Sequence, residues 1–81
     1  MDIFRKKEIV TAIYKEGGFS KAAKALHIAQ PSLSVMVSNI EKEIGARLFD
    51  RSTTPVRLTQ IGEKYLECCG NISMIEEDFI S

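Results

Sequence analysis

The chain has 81 residues, 44% hydrophobic and 27% charged, which fits one small globular domain. Its formal net charge is zero, but all 11 Lys and Arg lie in residues 1–64 with seven acids, a net of +4, and residues 65–81 hold four acids and no base, a net of −4. No apolar run approaches the roughly 18 residues of a membrane span, and Met1-Asp2-Ile3-Phe4-Arg5 lacks the layout of a signal peptide, so no membrane contact and a cytoplasmic location are expected.

The adjacent Cys68 and Cys69 are too few for a disulfide framework, and the single His27 is far from them in sequence. No metal and no cofactor are therefore expected, and the two thiols read as buried or half-buried.

Residues 3–16 read as the first helix. Ile3, Ile9, Val10, Ile13 and Tyr14 share one broad arc at 3.6 residues per turn; Phe4 lies off it and Lys6 intrudes on it. Gly17-Gly18 ends the helix. A short second helix follows, with Ser20 as its expected N-cap and Ala22, Ala23 and Leu26 as its inward face. His27-Ile28-Ala29 is a tight connection.

The third helix starts at Gln30-Pro31, where proline suits the first turn, and stops at Gly45. Leu33, Met36, Val37, Ile40 and Ile44 form one apolar stripe. Pro31, Ser34, Val35, Ser38 and Lys42 cover the opposite side, which is short-chained and almost uncharged. A face that enters a DNA major groove needs donors and acceptors for base edges, and an exposed Val35 can sit against a thymine methyl. A plain solvent-facing surface rich in serine is the other reading of this helix alone.

Leu48-Phe49 and Val56-Arg57-Leu58 are expected strands, turned by Ser52-Thr53-Thr54-Pro55 into a hairpin. Thr59 caps the last helix, where Ile61, Tyr65, Cys68, Ile72, Ile75 and Phe79 recur at spacings of 4, 3, 4, 3 and 4, a heptad-like seam suited to pairing with a second chain. The fold class expected is mainly α, a winged helix-turn-helix followed by a long C-terminal helix.

The segment FSKAAKALHIAQPSLSVMVSNIEKEIGARLFDRSTTPVRLTQIGEKYL resembles the N-terminal DNA-binding domain of the LysR-type transcriptional regulators. The match runs through Phe19-Ser20, Ala22-Ala23, Leu26, Gln30-Pro31-Ser32-Leu33-Ser34, Ile40-Glu41, Ile44-Gly45, Leu48-Phe49, Arg51, Leu58-Thr59 and Gly62. The resemblance implies a helix-turn-helix over about 19–44, a wing over about 47–58 and a linker or dimerisation helix over 59–81. It implies double-stranded DNA as partner, in an inverted repeat read by a homodimer. Gln30, Pro31 and Ser34 match the family's base-contacting positions. Ser20, Ser32 and Arg51 match groups that hold phosphates. Ser38 and Val35 join the reading face by their position on the helix, Thr53 joins the backbone contacts by its hydroxyl, and Lys42 and Arg57 join by charge alone.

Four residues depart from the family pattern. Val35 stands where many members carry a polar or basic reader. Ala29 replaces a serine that caps the third helix, Thr54 replaces a basic wing residue, and Lys7 replaces a leucine. Members also carry a larger C-terminal domain for a small-molecule effector, so no effector site is expected in these 81 residues. Two other function classes compete. A protein-interaction module would use the acidic end and the seam but has no need of Gln30 to Ser34. An enzyme would need a nucleophile with a base, paired acids in a cleft, or a metal. His27 reads as a surface turn and Glu41 and Glu43 as a solvated helix flank, so no enzymatic activity is expected.

Overall fold

The computed structural model describes residues 2–68, and its architecture is the expected winged helix-turn-helix. Helix α1 (Ile3–Glu16) begins where the Asp2 carboxylate accepts the Arg5 N–H at 2.8 Å and ends at Gly17, whose φ of 76° is the left-handed cap geometry that glycine adopts without strain. Ile9, Val10 and Ile13 are its fully buried residues. Ile3 and Tyr14, expected on the same arc, are exposed. Both sit at the same edge of the arc, past Val10, away from its buried centre. Lys6 lies on the buried arc, and its amine emerges to pair with Glu43 at 2.8 Å, tying α1 to the end of the third helix.

Helix α2 (Phe19–Leu26) starts two residues earlier than a cap at Ser20 would place it. Its N-cap is Gly18, and no side chain caps it, so Ser20 lies inside the first turn instead of capping. The early start places Phe19 at the spacing of Ala22 and Ala23, and all three enter the core. His27 closes α2 in the left-handed region, and its N–H bonds back into the last turn. Helix α3 (Gln30–Ile44) has Pro31 in its first turn and no side-chain bond at its Ala29 cap, as the missing serine implies. It buries Leu33, Val37 and Ile40 and ends at Gly45 with a φ of 82°.

The wing is a hairpin of β1 (Phe49–Asp50) and β2 (Arg57–Leu58), antiparallel with Phe49 opposite Leu58 and Asp50 opposite Arg57. Leu48 and Val56 were expected in the strands, but their N–H groups bond outside the hairpin. The Leu48 N–H goes to the Glu41 carboxylate at 2.8 Å and its carbonyl takes the Thr59 N–H at 2.9 Å, whereas the Val56 N–H goes to the Gly17 carbonyl at 2.9 Å. The hairpin is thus pinned at three points to α1, α3 and the last helix. Leu48 and Phe49 are both buried, so the wing is rooted in the main core.

Helix α4 is described over 60–68. Thr59 caps it as expected: its hydroxyl accepts the Gly62 N–H at 3.0 Å and donates to the Arg47 carbonyl at 2.6 Å. Leu66, absent from the expected seam, is the residue that plugs α4 into the core. Of the seam, Ile61 is 41% exposed, Tyr65 packs partly on the core and Cys68 is exposed. The thiol of Cys68 is therefore a surface group, against the burial expected for it. Ile72, Ile75, Phe79 and Cys69 lie outside the described residues. No helix among the described residues is long and apolar enough to cross a membrane.

Two outcomes test this packing. A methyl added at Gly62 would stand 2.2 Å from the Leu48 carbonyl oxygen, a backbone atom with nowhere to move. Gly62→Ala is expected to lower stability in urea unfolding by about 1–3 kcal/mol, the usual cost of overpacking. The second concerns Glu43, whose carboxyl is held below the ordinary 4.5 by the hydrogen bond and charge of Lys6. A lowered native pKa means that the unfolded chain binds the proton more readily. The contribution is then complete above the unfolded value and is lost as pH falls through the native one. Urea midpoints of the native chain and Glu43→Gln should differ at neutral pH and converge as pH is taken well below 4.5.

Candidate nucleic-acid interface

The outward side of α3 carries the expected reading residues. Gln30, Pro31 and Ser32 are exposed in its first turn, Ser34 and Ser38 are half-buried, and Val35 is 60% exposed. Its inward side is sealed by the core, so the helix is anchored on one face and open on the other. Val35 is notable because water gains nothing from an isolated branched apolar side chain there. Among the described residues it is one of six large hydrophobics left exposed, and the only one of the six on the reading face.

The backbone candidates divide into two groups. Ser38, Lys42 and Arg51 line one recess between the C-terminal half of α3 and the start of the wing. Arg57 stands on β2, across from Asp50, and lines a separate groove with Tyr14 and Pro55. Ser20 is exposed on α2, and its hydroxyl is not spent on a helix cap. Thr53 is half-buried, and its hydroxyl donates to the Pro55 carbonyl at 3.0 Å, so its proton already serves the wing turn. Asp50 holds the other side of this turn, accepting from the Ser52 N–H at 2.9 Å and from the Ser52 hydroxyl, and these bonds, together with the charge of Arg57, lower its pKa.

Two residues at the recess were not foreseen as site residues. Arg47 adds a third cation beside Lys42 and Arg51. Its position just before Leu48-Phe49, four residues from Arg51, is the signal that could have found it. Glu41 was expected on a solvated flank, yet its side chain is only 11% exposed. One carboxylate oxygen accepts the Leu48 N–H at 2.8 Å, and the other lies 3.7 Å from the Arg51 guanidinium. The Arg51 guanidinium in turn lies over the Phe19 ring, 4.2 Å from its centroid, and the Phe19 ring meets Phe49 edge-on at 5.8 Å. Helices α2 and α3 and the wing meet around this one cation. Among the described residues no group of His, Cys, Asp and Glu could hold a metal ion.

Comparison with known proteins places this arrangement. The model of the bacterial regulatory helix-turn-helix proteins of the lysR family matches residues 4–63. The uncharacterized HTH-type transcriptional regulator YcgK of Bacillus subtilis (strain 168) is 40% identical over 80 residues, 99% of this chain and 24% of the relative. The probable RuBisCO transcriptional regulator of Cyanidium caldarium is 43% identical over 70 residues, 86% of this chain and 22% of the relative. The chain therefore spans under a quarter of the length of these two relatives. The crystal structure of a BenM_DBD/catB site 1 DNA complex superimposes with a TM-score of 0.80 at 31% identity, covering 99% of this chain and 85% of that one. With the family match running from the first helix through the wing and into the last, this chain belongs to the bacterial regulatory helix-turn-helix proteins of the lysR family.

Proposed function

We propose that this chain binds double-stranded DNA in a sequence-specific manner as the head of a transcriptional regulator. The reading helix is α3, laid in the major groove, and the hairpin wing lies at the adjacent minor groove. Residues 1–58 act as the DNA-binding head and 59–81 as the pairing helix of a homodimer, which suits an inverted repeat with half-sites about one helical turn apart. The observation that carries this reading is the outward face of α3: Gln30, Ser34 and Ser38 offer donors and acceptors, Val35 offers an apolar surface, and the cations of the adjacent recess stand beside them. The likeness to a DNA-bound structure supports it. Exposure of Ile61 and Cys68 beside the buried Leu66 leaves one arc of α4 for a second chain.

Selection of bound duplexes from a random pool at near-physiological salt tests the proposal, and an inverted repeat of fixed spacing is the expected product. Arg51→Ala should weaken binding to every duplex about tenfold, the scale of a charge-assisted hydrogen bond, and reduce the salt slope by about one. Gln30→Ala should instead relax the preference at one base position by about 1–3 kcal/mol. If the two variants change the same quantities in the same way, the division into readers and phosphate holders is wrong.

A further inference from the structure

We propose that Glu41 is a positioning residue that seats Arg51 on the Phe19 ring, so that the guanidinium meets a DNA phosphate already oriented. The inference rests on the DNA reading above and names a residue that acts through Arg51 and does not itself touch DNA.

Arg51 is bounded on two sides and open to solvent elsewhere. The Phe19 ring covers one face of the guanidinium at 4.2 Å. Glu41 lies at 3.7 Å from Nη2, too long for a hydrogen bond but close for opposite charges. The side chain is still 39% exposed, so part of the five-donor fork faces water. Glu41 itself cannot follow the arginine outward, because its other oxygen is held by the Leu48 N–H at 2.8 Å. A fixed carboxylate and a fixed ring define a seat.

That seat matters because a free arginine side chain samples many rotamers, and binding a phosphate would otherwise have to freeze them. Here the folded protein has already narrowed the choice. Glu41 also joins the seat to the wing: the same carboxylate sets Leu48, the residue immediately before β1. The opposite effect is conceivable on charge alone, since a carboxylate near the phosphate competes for the cation. The two effects have opposite signs in the measurement.

The test uses the full 81-residue chain. Affinity is measured for the selected duplex and for an unrelated duplex of equal length, with the native chain, Glu41→Gln, Arg51→Ala and the double variant. Glutamine keeps an oxygen for the Leu48 N–H and removes only the charge. Glu41→Gln is expected to weaken both duplexes by a similar factor, about three- to tenfold, and to change nothing further once Arg51 is alanine. An unchanged or tighter Glu41→Gln overturns the inference. So does an equal loss in the Arg51→Ala background, which would mean that Glu41 acts only through the wing. If Glu41→Gln does not fold, Arg51→Lys decides: it keeps the charge but not the planar fork, and should bind about as weakly as Arg51→Ala. Native-like binding by Arg51→Lys would overturn the seat. A native chain that binds no duplex would sink the DNA reading itself. A native chain weakened by Arg51→Ala but indifferent to Glu41→Gln would sink this inference alone.

Discussion

Helix α3 has to satisfy two environments at once, and the rest of the fold is arranged around that constraint. Leu33, Val37 and Ile40 fall at spacings of four and three, which buries one stripe completely and leaves the residues between them turned outward. Because the buried stripe is held by α1, α2 and the root of the wing, the outward residues keep a fixed pitch and direction. A reading face needs that fixity more than it needs any single side chain, since a hydroxyl on a loosely held helix would spend its hydrogen bonds on water.

The ties that hold α3 are few and of different kinds. At its C-terminal end Lys6 reaches from α1 to Glu43, an exposed ion pair worth little on its own but correctly placed to fix the crossing of two helices. Two residues earlier the Glu41 carboxylate binds the wing by accepting the Leu48 N–H, a part-buried hydrogen bond. The N-terminal end has no comparable tie. Neither α2 nor α3 has a side-chain cap, so the first turns of both helices keep unpaired N–H groups near the surface on which Ser20, Gln30 and Ser32 are exposed. The ties and the cations of the recess thus both lie at the C-terminal half of α3, and its N-terminal end carries the exposed first turn.

Much of this was legible from residue order alone. Helical periodicity located α1 and α3, glycines marked their ends, and Thr59 announced the last helix. The departures have physical causes. Ser20 is a good capping residue, but burying the Phe19 ring outweighs one cap, and the helix starts earlier. Leu48 and Val56 have strand-forming neighbours, yet their amides find partners outside the hairpin, and nothing in the local sequence names those partners. Glu41 reads as a surface acid by position and becomes enclosed only when the chain returns after Gly45. Leu66 was passed over because the heptad rule chose its neighbours Tyr65 and Cys68; the core and a seam occupy adjacent arcs of one helix, and spacing cannot say which arc meets which.

The contacts around Thr59 have a mechanical meaning. Its one hydroxyl holds both the chain entering the wing, at Arg47, and the first turn of α4, at Gly62. The backbone of Gly62 is pressed against that of Leu48 with no room for a side chain between them. The start of α4 is thus fastened directly to the hairpin. A rotation of the first turn of α4 therefore has to carry the root of the wing with it, as a crank carries a shaft.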